Sequence, residues 1–111
     1  MNLHEVAVIH YEDAQRFEAQ AEGFRALLAY RRFPDHMVIT HTEVPSPLEG
    51  QGLAAKLARA ALDFARANHL RVIPLCPYIA SFIRGHSEYH DLVSADDLQG
   101  LTSRSSGATS Q

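Results

Sequence analysis

The stretch Val44–Pro45–Ser46–Pro47–Leu48–Glu49–Gly50–Gln51–Gly52–Leu53–Ala54 constrains this chain more than any other. An apolar, strand-like run from Met37 to Val44 enters it, and a helix-patterned run from Leu53 to Asn68 leaves it. Glycine lets the backbone turn through φ > 0 and lets another group approach where a Cβ would stand. The amides of such a turn, and of the first helical turn after it, have no intrahelical acceptors. They can face an anion, and the helix dipole helps. That is the physics of a phosphate cradle. The stretch lacks the Gly-Lys-Ser/Thr of a P-loop and the third glycine of Gly-x-Gly-x-x-Gly. Taken without its flanks, it reads first as a plain strand-to-helix connection.

The rest of the chain supplies strands around this junction. Leu3 to Tyr11 reads as a first strand and Glu12-Asp13 as a turn. Arg16 to Ala21 is a second strand, and Ala21-Glu22-Gly23 carries turn chemistry. Phe24 to Arg32 places Phe24, Ala26, Leu28 and Tyr30 at period two, which is strand-like, although its Ala-Leu-Leu-Ala content also suits a helix. The short connections on each side favour an antiparallel meander that ends, after Phe33–His36, in the fourth strand, Met37 to Val44.

In the helix Leu53 to Asn68, a buried stripe of Leu53, Leu57, Ala60, Ala61 and Phe64 is expected. Lys56, Arg59, Asp63 and Arg66 fall opposite, with Arg59 and Asp63 spaced as an i,i+4 pair. Leu70 to Cys76 then reads as a fifth strand, parallel to Met37–Val44. Pro74 within it cannot donate to a ladder, so it marks either an edge strand or a place where pairing fails. Pro77 suits the first turn of a short helix, Tyr78 to Arg84, and Ser87 to Val93 forms a last short element. From Ser94 the chain turns acidic and then rich in Ser, Thr and Gly, so 94–111 is expected to be a largely disordered tail after one domain spanning 1–93.

At 111 residues with 46% hydrophobic and 21% charged residues, one domain can bury a core without disulfides or a metal. A net charge of −3 gives no general attraction to nucleic acid or an anionic membrane. No apolar run reaches a membrane-span length, no secretory signal is visible, and the single cysteine fits a reducing compartment. A cytoplasmic location is the expectation, with no oligomeric state assigned.

Glu49–Gly50–Gln51–Gly52–Leu53–Ala54 resembles the Arg/Gln-x-x-Gly-x-Gly/Ala signature of the GCN5-related N-acetyltransferases, which holds the pyrophosphate of acetyl-coenzyme A. The flanks His41-Thr42-Glu43-Val44-Pro45 and Val72-Ile73-Pro74-Leu75-Cys76-Pro77 narrow the resemblance to the small, single-domain acetyltransferase-like group (NATD1-type and YjdJ-type). It covers roughly residues 4 to 93. Glu49 departs from it, standing where the pattern has Arg or Gln.

The resemblance implies an α/β fold. A twisted mixed, mostly antiparallel sheet of about five strands would carry the central helix after the glycine turn and a short second helix. It also implies that the fourth and fifth strands splay apart at Pro74 and that the pantetheine arm lies in the gap. Gly50, Gln51, Gly52, Leu53 and Ala54 would hold the pyrophosphate through backbone amides. Val44 would offer main-chain groups to the pantetheine, and Cys76 and Ser81 would be further cofactor contacts. Lys56 and Arg59 would add charge there or form a solvated helix face. Many such enzymes use a tyrosine on the helix after the fifth strand as general acid; Phe82 occupies that place, with Tyr78 and Tyr89 nearby.

Three residues suggest chemistry of their own. Cys76 is a nucleophile, a pocket wall or a small buried hydrophobe. Strand alternation puts Ile39, His41 and Glu43 on one face, so His41 and Glu43 form a candidate base pair for deprotonating an amine. The seven histidines include His86 and His90 at helical spacing with Glu88 between them, but no third ligand is evident and no metal is expected.

The expected activity is transfer of an acetyl group from acetyl-coenzyme A to an amine by direct attack. The little chain before the first strand and after Val93 implies an open groove that favours a peptide or protein amine. The alternative is a non-catalytic module that binds coenzyme A or an acyl-coenzyme A. A partner-binding module with no cofactor is a third reading. No nucleic-acid or membrane partner is expected.

Overall fold

A computed structural model of the protein describes residues 2–100. Five strands form one sheet in chain order: β1 (Val8–Tyr11), β2 (Arg16–Ala21), β3 (Phe24–Arg32), β4 (His36–Glu43) and β5 (Arg71–Pro74). The first four are an antiparallel meander, and β5 pairs parallel to β4. The crossover between them is the helix α1 (Leu53–Ala67); a second helix, α2 (Pro77–Arg84), and a 3₁₀ segment, Ser87–Leu92, follow β5. The expected α/β architecture is what the chain forms.

Local chemistry explains the connections. Glu22 and Gly23 both have positive φ, 52° and 82°, as a two-residue hairpin turn between twisted strands requires. At the end of α1 the amide of His69 (φ 57°) donates to the Arg66 carbonyl, and that of Leu70 to the Ala65 carbonyl at 2.8 Å. This paired closure satisfies carbonyls that the helix leaves open.

One face of the sheet is covered. Phe17, Ala19, Ala26, Leu28, Tyr30, Met37, Ile39 and Val72 are buried there against Leu53, Leu57, Ala61 and Leu62 of α1. Burial of Ala26, Leu28 and Tyr30 at period two settles Phe24–Arg32 as strand rather than helix. Each fully buried leucine or isoleucine contributes about 1.5–3 kcal/mol relative to exposure.

The structure changes several expectations. The first strand begins only at Val8, because Leu3–Glu5 forms a 3₁₀ turn tied to α1: the Lys56 ammonium donates to the Leu3 carbonyl. Lys56 is therefore not a solvated face. The buried residues of α1 are Leu53, Leu57, Ala58, Ala61, Leu62 and Ala65, while Ala60 and Phe64 are half-buried. The stripe is rotated because the Ser87–Leu92 segment covers one flank of the helix. That segment also removes the expected Arg59–Asp63 pair: Arg59 lies 3.4 Å from Glu88, and Asp63 accepts a hydrogen bond from the Tyr89 hydroxyl at 3.0 Å. Residues 95–100 are helical, with the Ser94 hydroxyl accepting from the Asp97 amide. The remainder of the expected tail, 101–111, lies outside the described residues.

Candidate functional site

Strand β4 contains the feature that decides which side chains meet. Its register with β3 runs Tyr30↔Ile39 and then Ala29↔His41, so Thr40 is an extra residue, a β-bulge. Met37 and Ile39 are buried before the bulge; beyond it, Thr42 and Val44 continue that face. His41 and Glu43 are thereby turned to the uncovered face of the sheet, where both are exposed. Strict alternation predicts Ile39, His41 and Glu43 on one face. The inserted residue breaks that parity.

Beside the bulge, β4 and β5 part. Their last paired residues are Ile39 and Pro74, and the Ile39 carbonyl accepts from the amides of Leu75 (3.1 Å) and Cys76 (3.0 Å). Beyond that point the β5-facing side of β4 has no strand partner. Both readings of Pro74 hold: β5 is the edge strand, and pairing stops at its proline.

The gap opens into a cavity of about 360 Å³. Thr42 of β4, Val44 just after it, the Leu48–Gly50 turn, Gly52–Ala55 at the start of α1, and Tyr78 of α2 line it. Gly50 and Gly52 have φ of 80° and 86°. A Cβ on Gly50 would meet nothing within 4 Å, whereas one on Gly52 would come within 2.9 Å of Leu3 Cδ1. The first bond of α1 joins the Lys56 amide to the Gly52 carbonyl at 3.1 Å, so the amides of Leu53, Ala54 and Ala55 have no helical acceptor. These three residues line the cavity. An anion placed there would find free donors, the positive end of a helix and no Cβ in its path.

The other expected site residues are distributed unevenly. Gln51 is half-buried, and its side-chain amide donates to the Pro47 carbonyl at 3.3 Å, bracing the turn. Glu49 is exposed at the cavity's edge. Cys76 is 4% exposed, and its thiol donates to the Thr42 hydroxyl at 3.5 Å across the gap. His41 and Glu43 do not line the cavity, and neither does the exposed Ser81.

Of the three aromatic residues considered for a proton donor, Tyr78 reaches the cavity. Burial pushes its phenol pKa up, and the neighbouring Cys76 adds to the shift. Phe82 is buried, with its ring stacked on His86 at 3.9 Å, and Tyr89 is bound to Asp63. Thr42, Leu48 and Ala55 are cavity residues that sequence reasoning did not select; the strand parity that exposes Thr42 depends on the bulge.

The histidines of the 86–90 stretch have other partners. His86 Nδ1 lies 2.7 Å from the Phe82 carbonyl, and His90 Nε2 lies 2.8 Å from that of Ile83. Both serve the open end of α2. No group of three or more potential metal ligands occurs among the described residues.

The sequence pattern of the family described as GCN5-related N-acetyl-transferase matches residues 16–92. Protein NATD1 of Bos taurus is 37% identical over 82 residues, covering 71% of this chain and 73% of its own length. The Homo sapiens NATD1 is 34% identical over 82 residues, with the same coverage of each chain. A Staphylococcus aureus protein described as GCN5-like, solved by NMR, superposes with a TM-score of 0.62 at 29% identity, covering 79% of this chain and 87% of that one.

Proposed function

Given that the chain belongs to the GCN5-related N-acetyltransferase family, we propose that it transfers the acetyl group of acetyl-coenzyme A to an amine by direct attack. The observation that carries this reading is the cavity where β4 and β5 part, with the free amides of Leu53, Ala54 and Ala55 at one end and Tyr78 beside it. Its features suit the cofactor. The glycine turn and helix start fit a pyrophosphate, and the unpaired end of β4 with Val44 fits an extended amide-bearing arm.

Acetyl-coenzyme A supplies a thioester, whose carbon–sulfur bond breaks as the amine nitrogen bonds to the acetyl carbon. Tyr78 gives its phenolic proton to the departing sulfur and regains one from solvent. Its raised pKa keeps that proton in place at neutral pH. Cys76 takes no covalent part: its buried thiol donates to the Thr42 hydroxyl, which is not a base, and it does not line the cavity. The amine releases its proton to water, because His41 and Glu43 stand on the far face of the sheet. An exposed mouth is compatible with a peptide or protein amine as acceptor.

The position of His41 and Glu43 also supports a second reading, a coenzyme A binding module without turnover. Amine-dependent release of free thiol from acetyl-coenzyme A separates the two. The test of the site itself is calorimetric titration with acetyl-coenzyme A, for the native chain and for Gly50→Glu, where there is room for a side chain. Binding that is lost in a folded Gly50→Glu protein supports the cradle. A native chain that shows no binding near a millimolar removes both readings.

A further inference from the structure

Attack of an amine on a thioester puts charge on two atoms besides the nitrogen. The leaving sulfur needs a proton, and the carbonyl oxygen gathers negative charge as the new bond forms. Each calls for a donor. Two side chains lining the cofactor cavity can donate a hydrogen bond, Tyr78 and Thr42. With Tyr78 assigned to the sulfur, Thr42 is left for the oxygen.

The Thr42 hydroxyl is able to take that part. Its oxygen accepts from the Cys76 thiol at 3.5 Å, while its own hydrogen has no acceptor among the described residues. Thr40, two residues earlier, is already engaged: its hydroxyl donates to the Ala29 carbonyl at 3.3 Å. That bond ties down the extra residue of β4, and the bulge in turn sets the phase that brings Thr42 to the gap.

The place of Thr42 in the cavity agrees with the role. Ile39 is fully buried where β4 still pairs with Pro74, so along β4 the cavity stops at Thr42, where the gap closes. A pyrophosphate on the amides of Leu53, Ala54 and Ala55, with its arm passing Val44, brings the acyl end to Thr42 and Tyr78.

We propose that Thr42 is a catalytic residue: its hydroxyl donates to the acetyl carbonyl oxygen and holds it more strongly as charge gathers there. The catalytic role rests on the acetyl-transfer reading above; the hydrogen bond needs only bound acetyl-coenzyme A. No proton passes to the oxygen. The carbonyl π pair moves onto oxygen as the nitrogen–carbon bond forms and returns as the carbon–sulfur bond breaks. Thr42 keeps its hydrogen throughout.

The test compares the full native chain with Thr42→Val, which keeps the shape and removes the hydroxyl, and Thr42→Ser, which keeps the hydroxyl. Infrared difference spectra of bound acetyl-coenzyme A, isotope-labelled at the acetyl carbonyl, read the hydrogen bond without turnover. The carbonyl band should lie at lower frequency in the native chain and Thr42→Ser than in Thr42→Val. In acetylation assays Thr42→Val should lower kcat about 100-fold, as loss of one such donor does, and Thr42→Ser should recover most of it. Calorimetric affinity for coenzyme A, which has no acetyl group, should not change. Thr42→Ala, which removes the same hydroxyl without branching, repeats the comparison should Thr42→Val fail to fold. Equal bands in the native chain and the hydroxyl-free variants overturn the proposal, and so does an unmoved kcat. A band that shifts in a native chain without turnover would keep the hydrogen bond and sink the acetyl-transfer reading; turnover with equal bands would do the reverse.

Discussion

The thiol of Cys76 and the hydroxyl of Thr42 meet at 3.5 Å across the gap between β5 and β4, beyond the last strand pairing. This bond links the two edges that backbone pairing leaves apart. It also gives the thiol an acceptor that is not a base, which bears directly on what the cysteine does.

Cys76→Ser should retain acetyl transfer within a few-fold, because serine can still donate to Thr42. Cys76→Ala should keep activity too, at a stability loss of about 1 kcal/mol from the small void it leaves. Urea unfolding and steady-state turnover on the same preparations check both. Turnover abolished in folded Cys76→Ala would restore a covalent role.

Tyr78→Phe should lower kcat by about 100-fold, a magnitude typical of general acid catalysis, with calorimetric affinity for acetyl-coenzyme A unchanged. The pH profile carries a second expectation. With the amine as the group that must lose a proton, kcat/KM should climb with unit slope from pH 6 to about 10, near the pKa of an alkylamine. The fall at alkaline pH should come above 10, since burial raises the Tyr78 phenol. A plateau starting near pH 6.5 would instead point to a histidine base.

Glu49→Gln should tighten acetyl-coenzyme A binding by about two- to five-fold, because an exposed carboxylate at the cavity's edge repels phosphate weakly through solvent. The gain should shrink in 0.5 M salt. Titrations at two ionic strengths measure it, and an unchanged affinity at low salt would show that the Glu49 carboxylate does not face the phosphate.

The two glycines of the turn should respond differently. Gly50→Ala places a side chain in open space and pays only for its backbone, about 1 kcal/mol for a residue held at positive φ. Gly52→Ala adds a 2.9 Å approach to Leu3 and should cost more in thermal unfolding. Leu3→Ala should recover part of that loss; no recovery would count against the contact.

At the far end of the sheet, His10 Nε2 lies 2.5 Å from the Tyr30 hydroxyl and its ring stacks on Phe17 at 3.9 Å. Burial lowers the His10 pKa from 6.5, with Glu12 opposing the shift and Arg32 reinforcing it. Between the folded value and 6.5, the unfolded chain binds more protons, so stability rises with pH in that window. The contribution is complete above 6.5 and disappears as pH falls through the folded pKa. Urea midpoints from pH 7.5 to 5 should therefore decline, and more steeply than in His10→Phe, which cannot titrate.

The glycine junction, the meander and the crossover helix were legible because each depends on local chemistry: positive φ at Gly50 and Gly52, period two in Phe24–Arg32, period 3.6 in Leu53–Asn68. The cavity itself was legible in outline, since Val44 and the turn must adjoin the helix that follows them. What the sequence hid were relations between distant segments. Arg59 has a carboxylate four residues on, and only the fold shows that Glu88 lies closer to its guanidinium. Tyr78 and Phe82 lie one helical turn apart, and only the packing of α2 shows which meets the cavity and which meets His86. The bulge at Thr40 has no compositional mark, so alternation assigned His41 and Glu43 to the wrong side.

That single inserted residue acts on β4 much as a frameshift acts on a coding sequence. Upstream of Thr40 the odd-numbered positions, Met37 and Ile39, belong to the interior; downstream the even-numbered ones, Thr42 and Val44, take over. Tolerance to substitution along the strand should therefore change phase at one position, and closing the bulge by pairing Thr40 with Ala29 would bring His41 and Glu43 to the cavity wall in place of Thr42 and Val44. The chemistry available inside this protein is set by where the strand miscounts.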